Sequence, residues 1–217
     1  MTNGKFIVFE GINGCGKGTQ LELITKFLYD LDPKRKHTHV IRTREPNELD
    51  ENGLNARKAL KESKDPYEGA RACVGYFAMN RVTHNNILIR PSLEIKNTFV
   101  LSDRYWHSNF AFQHAQGIPI EEIKEANKTS TVPDLTIIYD LPVSVANDRL
   151  ARRDGSERRK FDSNSDFMEK VRENYRRLSE HLVGFDNSIV VVDANRSIEE
   201  VYKATKNVIQ RKILQLD

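Results

Sequence analysis

Between Glu10 and Gln20 the chain reads Gly11-Ile12-Asn13-Gly14-Cys15-Gly16-Lys17-Gly18-Thr19. Glycines at this density let a backbone curl until successive N–H groups point inward, an arrangement that suits phosphate oxygens. The apolar run Phe6 to Phe9 precedes the loop, and helical spacing follows from about Lys17. The positive end of that helix adds to the attraction for an anion. The string fits the P-loop, G-x-x-x-x-G-K-[ST], at all positions but the last. Residue 18 is Gly where a Ser or Thr usually offers its hydroxyl to magnesium. Thr19 follows at once as the candidate hydroxyl, the alternative being a metal held largely through waters. Gly11 through Thr19 are therefore the candidate ATP-binding residues, with the Lys17 ammonium reaching the β and γ phosphates.

More cations follow. Arg44 stands just beyond an apolar run and before Pro46, and its guanidinium fork matches phosphate oxygens; a surface ion pair with Glu45 is the plainer alternative. Phe77 and Arg81, four apart, share a helix face. Tyr67, Ala70, Val74 and Phe77 make a stripe that reads as core, and Arg81 interrupts that reading, because a buried cation needs an acceptor. Asp103-Arg104 closes another apolar run; a helix cap is the plainer role for the Asp. From Arg149 to Lys160 the chain reads Arg-Leu-Ala-Arg-Arg-Asp-Gly-Ser-Glu-Arg-Arg-Lys, six cations in twelve residues, with Gly155 as a hinge.

Elements must hold these groups together. Five β-rich runs are expected at Lys5–Glu10, Thr38–Thr43, Thr98–Asp103, Leu135–Asp140 and Ser188–Asp193. Most are continuously apolar rather than alternating, as strands buried on both faces are. Helical spacing marks Thr19–Leu31, Pro66–Ile89, Val143–Arg152, Asp166–Val183 and Ile198–Leu214. Alternating strand and helix predicts an α/β, doubly wound fold: a five-stranded parallel sheet with flanking helices. In such sheets ligands bind beyond the carboxyl ends of the strands, where Glu10, Arg44, Asp103, Arg104 and Asp140 all fall.

The 217 residues suit a single domain, 1–217, carrying a small mobile lid at about 149–162. A net charge of +3, from 34 basic and 31 acidic side chains, does not suggest a dedicated nucleic-acid binder. The 149–159 arginines also lack interleaved aromatics that could stack on bases. Two cysteines, Cys15 and Cys73, are too few for a disulfide framework and suit a reducing, cytoplasmic setting. No signal-like segment and no apolar stretch near the roughly 20 residues of a membrane span is visible.

Several short strings occur in one order: Phe-Glu-Gly before the loop, Thr43-Arg44-Glu45-Pro46, Phe77 with Asn80-Arg81, Asp103-Arg104-Tyr105, Ser108-Asn109 with Phe112, Pro133-Asp134-Leu135, and the Arg-rich segment from Arg149 to Arg159. In that order and spacing the whole chain resembles the thymidylate kinase family. The resemblance implies ATP as donor, Mg2+, dTMP as acceptor and dTDP as product, and a homodimer. It implies that Arg44 pairs with the acceptor phosphate, Phe77 stacks on thymine, Arg81 donates to a base oxygen and Asn109 bonds the base edge. Phe112 would crowd the place of a ribose 2′-hydroxyl. Asp103 and Thr19 would lie near the metal, directly or through water, and Arg104 would bridge donor and acceptor phosphates.

Some family members carry a catalytic Arg in the loop, where this chain has Gly14. The resemblance then puts the catalytic cations at Lys17, Arg104 and the lid residues Arg153, Arg158 and Arg159. Two departures stand out. Asn13 replaces an acidic residue that contacts the acceptor 3′-hydroxyl, and Asn47-Glu48-Leu49 replaces Gly-Gly-Thr. The alternatives are a kinase for another nucleoside monophosphate, and a P-loop protein that holds nucleotide without transferring phosphate.

Overall fold

The structure is a computed structural model that describes residues 3–32, 38–62, 67, 69–152, 164–182, 184–186 and 188–216. The strands are β1 (Lys5–Glu10), β2 (His39–Arg44), β3 (Thr98–Asp103), β4 (Leu135–Asp140) and β5 (Ile189–Asp193). The helices are α1 (Lys17–Asp30), α2 (Glu51–Glu62), α3 (Ala70–His84), α4 (Arg90–Leu93), α5 (His107–Ala115), α6 (Ile120–Asn127), α7 (Val143–Ala151), α8 (Ser165–Arg176), α9 (Leu178–His181) and α10 (Ile198–Ile209). Wider π-helical turns, Asn85–Ile89 and Gln210–Leu214, extend α3 and α10.

All pairings are parallel, in the order β2-β3-β1-β4-β5. The three inner strands are buried along almost their whole length, and Phe6, Ile7, Val8 and Phe9 of β1 are fully buried. The edge strands β2 and β5 carry mixed exposure because each has a neighbour on one side only. Register brings the strand ends level: Arg44 lies opposite Asp103, Phe9 opposite Asp103 and Asp140 opposite Asp193. The loop after β1 therefore opens between the ends of β3 and β4, where connections leave the sheet in opposite directions.

The expected strands all form, within one residue at each end. The helices differ more. The long helix expected from Pro66 begins at Ala70, where Gly69 in the left-handed region ends the preceding turn. The one expected over Asp166–Val183 is broken at Arg177 into α8 and α9. The helix at Glu51–Glu62 is an addition to the expected set; only Leu54, Ala56, Ala59 and Leu60 of its twelve residues are apolar, and it is started by Asp50, whose carboxylate accepts the Gly53 N–H at 2.9 Å. Both cysteines are buried thiols. Among the described residues no helix is long and apolar enough to cross a membrane.

Candidate active site

The loop from Gly11 to Gly16 is built by backbone that side chains resist. Gly11 has φ +134° and Gly14 φ +82°. A Cβ on Gly11 would lie 2.6 Å from the Tyr139 carbonyl oxygen, and one on Gly14 would lie 2.5 Å from that of Ala146 in α7. The family's alternative Arg at this second position therefore has no room here. The Lys17 ammonium turns into the loop and donates to the carbonyls of Gly11 at 2.9 Å and Ile12 at 3.1 Å, with Cys15 Sγ at 3.7 Å. These carbonyls are neutral, so the charge is held in the cradle without a carboxylate to cancel it. Gly18 is exposed, a Cβ added to it would meet nothing within 4 Å, and Thr19 is half-buried on the first turn of α1.

Arg104 is the hub. It adopts φ +70°, a left-handed conformation that is unfavourable for a residue with a Cβ. The turn is pinned from three sides: the Arg104 N–H donates to Phe9 at 2.9 Å, its carbonyl accepts from Ser102 Oγ at 2.6 Å, and the Glu45 N–H donates to Asp103 at 3.1 Å. The guanidinium reaches Asn13 Oδ1 at 2.8 Å, Tyr175 Oη at 3.0 Å and Ser108 Oγ at 3.1 Å, over the Phe112 ring. Asp103 is no helix cap, because α5 starts at His107 with Trp106 before it.

Beneath Arg104 lies a residue that the motifs do not mark as a site residue. Glu10, at the end of β1, is fully buried and accepts from the Tyr105 N–H at 2.8 Å, Ser108 Oγ at 2.8 Å and Tyr175 Oη at 2.9 Å, 3.8 Å from Arg104. Burial, reinforced by the Glu10 charge, pushes the Tyr175 pKa well up, so the phenol stays a neutral donor. Asp140, at the end of β4, takes a two-pronged contact from Arg172 of α8 at 2.7 and 3.1 Å. The polar ends of apolar strands are the signal for Glu10 and Asp140; nothing local marks Tyr175 or Arg172.

The segment after β2 removes the plainer alternative for Arg44. Arg44 does not pair with Glu45 but lies 3.8 Å from Glu48, which is also 3.1 Å from Arg57 of α2. Glu45 turns inward to Arg81. Arg81 is buried; its Nε donates to Glu45 at 2.7 Å and its Nη1 to Asn109 at 2.9 Å and to Asn127. These are the acceptors that the sequence requires for a cation on an apolar stripe. Asn109 Nδ2 in turn donates to Gln113 at 2.9 Å. Ala70 and Val74 are core, as the stripe implies, but Tyr67 is exposed and Phe77 is half-buried and outside the core. Phe112 packs in the core edge-on to Tyr175 at 6.2 Å, with its face under Arg104. Asn47, Asn80 and Asp50 form a knot of hydrogen bonds at 2.8 to 3.1 Å that ties the chain before α2 to α3.

Two groups bear on a divalent cation. Asp103 Oδ1 is enclosed and has no hydrogen-bond partner among the described residues, and Thr19 presents a hydroxyl on the first turn of α1. The described residues contain no cluster of three or more potential metal ligands. That donor set fits magnesium, which keeps several waters and takes phosphate oxygens as ligands. Arg153, Arg158 and Arg159, and most of the expected lid, lie outside the described residues.

A parallel sheet with a glycine-rich loop after its central strand, a lysine in that loop and arginines at the neighbouring strand ends defines the class of P-loop phosphotransferases. The thymidylate kinase family model matches residues 9–205. The chain is 33% identical over 216 residues to a probable thymidylate kinase of Thermococcus gammatolerans, covering 97% of this chain and 98% of the relative. It is 35% identical over 208 residues to one of Staphylothermus marinus, covering 95% of each. A thymidylate kinase of Nitrosomonas eutropha is 33% identical over 216 residues, 97% of this chain and 94% of its own length. The chain belongs to the thymidylate kinase family.

Proposed function

We propose that this enzyme transfers the terminal phosphoryl group of ATP to dTMP, giving dTDP and ADP. The observation that carries the assignment is Arg104: one guanidinium touches the loop at Asn13 and lies against Phe112 and Ser108, between a donor cradle and an acceptor wall.

An oxygen of the dTMP phosphate attacks the γ phosphorus, and the bond to the β–γ bridging oxygen breaks, leaving its electron pair on ADP. The acceptor phosphate has a second pKa of ~6, so it is already largely dianionic and needs no general base. The transition state is loose, with negative charge spread over the transferring oxygens. Gly11 through Thr19 hold the ATP phosphates, and the Lys17 ammonium leaves its carbonyls for β and γ oxygens. Arg104 spans the two phosphates, and Arg153, Arg158 and Arg159 close over them and exclude water. Asp103 and Thr19 would hold Mg2+, largely through waters, and the ion would supply charge neutralisation at the phosphates.

Arg44 takes the acceptor phosphate and Phe77 stacks on the base. Arg81 can only donate, which fixes Asn109 Oδ1 toward it and leaves that oxygen one lone pair. Donor and acceptor together match O4 and N3–H of thymine and mismatch cytosine. Phe112 excludes a ribose hydroxyl. A homodimer in the cytoplasm is part of the same proposal, supported by exposed apolar side chains at Met79, Val82 and Ile87.

The test is ADP release with ATP and magnesium against dTMP, dUMP, ribosyl TMP, dCMP, dGMP and AMP. Rapid turnover of dTMP over the ribose form and the purines is expected. A different preferred acceptor would move the assignment to another nucleoside monophosphate kinase. ATP binding without turnover of any acceptor would leave only a nucleotide holder. Replacing Arg153, Arg158 and Arg159 singly by Gln ranks them.

A further inference from the structure

Arg81 has five N–H bonds, and most are committed. Nε lies 2.7 Å and Nη2 2.6 Å from Glu45 Oε2, while both hydrogens of Nη1 go to Asn109 and Asn127. One N–H, on Nη2, remains without a partner among the described residues. Its direction is set by the carboxylate that grips the opposite edge of the guanidinium.

That carboxylate is itself held. Its other oxygen, Oε1, lies 2.9 Å from His84 Nδ1, and His84 Nε2 lies 2.7 Å from Thr43 Oγ1. The side chains of Glu45, His84 and Arg81 are 4%, 0% and 2% exposed. Thr43 precedes Arg44 on β2, so a buried chain of contacts runs from the strand that bears the phosphate-facing Arg to the Arg that faces the base. We propose that Glu45, steadied by His84, is a positioning residue that aims the last Arg81 N–H at the acceptor base. It thereby fixes the distance between base reading and phosphate binding. The inference rests on the dTMP reading above and concerns residues to which that reading gives no role.

A buried guanidinium needs a counter-charge whatever it does. Simple neutralisation would make Glu45 matter for stability and not for base choice. The experiment separates these. Glu45→Gln keeps the shape and removes the charge. Thr43→Val removes only the far support of His84 and leaves both charges. Arg81→Lys is run beside them. Each is assayed for KM and kcat with dTMP, dCMP and ATP, and for Tm.

With Glu45→Gln, the dTMP KM is expected to rise about ten-fold and the preference for dTMP over dCMP to shrink by a similar factor, with the ATP KM unchanged. Thr43→Val should move the same two readouts in the same direction by about three-fold. If both variants lower Tm and leave the dTMP-to-dCMP ratio at the wild-type value, Glu45 only neutralises and the inference is overturned. If Arg81→Lys also leaves the ratio unchanged, the base-reading assignment itself has failed. Should Glu45→Gln not fold, Thr43→Val decides by the same ratio.

Discussion

The Tyr175 phenol donates to the Glu10 carboxylate at 2.9 Å across 165 residues of sequence. One partner ends the strand before the phosphate loop, and the other sits on the helix after the Arg-rich segment. Arg104 rests on both. Tyr175→Phe removes the shared hydroxyl and leaves the ring against Phe112. A hydrogen bond to a charged group contributes about 1.5–3 kcal/mol. We expect kcat/KM for dTMP to fall by about ten-fold or more, with ATP affinity unchanged by titration of the loop with a fluorescent ATP analogue. Equal losses for both substrates would contradict this.

Glu48 stands between Arg44 and Arg57, with its side chain 55% exposed. Exposed pairs contribute about 0–1 kcal/mol, so Glu48→Gln should barely change Tm. It should lower the dTMP KM by about two- to five-fold, because the acceptor phosphate no longer competes with a carboxylate for the Arg44 guanidinium. Steady-state kinetics at low and moderate salt provides the check.

Gly18 faces open space on the first turn of α1. Gly18→Ser is expected to be tolerated and to stabilise the helix by about 0.5 kcal/mol. Its hydroxyl restores the usual loop ligand, so half-maximal activity should need less magnesium. A magnesium titration at fixed ATP reads this directly.

Gly53 is the opposite case. A Cβ there would lie 1.8 Å from the Asn47 carbonyl oxygen and 2.7 Å from Asn80 Nδ2. Gly53→Ala should destabilise by about 1–3 kcal/mol and disturb the knot that holds the Arg44 segment to α3. Urea unfolding and the dTMP KM should both report it.

Burial raises the pKa of Tyr105, Tyr139 and Tyr175 above the ordinary phenol value of about 10. The folded state keeps these protons while the unfolded chain releases them. The stability that they contribute is full below pH ~10 and is lost as pH rises from there toward the raised folded values. Urea midpoints measured from pH 8 to pH 11 should fall only in the upper part of that range. Tyrosinate absorbance should appear together with unfolding rather than before it.

The sheet is legible in the sequence because buried parallel strands write themselves as apolar runs, and Phe6 to Phe9 or Ile137 to Tyr139 admit few other readings. The loop is legible because phosphate binding demands glycine and lysine at fixed spacing. Arg81 announces a buried acceptor, but not which one. Glu45 is adjacent to Arg44 in sequence, and only the fold reveals that the chain turns one side chain to solvent and the next into the core. Tyr175 lies among polar residues on α8, and its link to Glu10 is a purely long-range contact. Helix α2 escapes a sequence reading because it is mostly polar and only Asp50 marks its start.

The contact of Gly14 with Ala146 bears on redesign. Some members of the family carry an arginine in the loop where this chain has Gly14. In this chain the backbone of α7 occupies the room that such an arginine requires. A side chain at residue 14 would run into the Ala146 carbonyl, so α7 must withdraw before the loop can carry one. An engineer who wishes to place a cation in the loop would have to begin with the segment around Ala146.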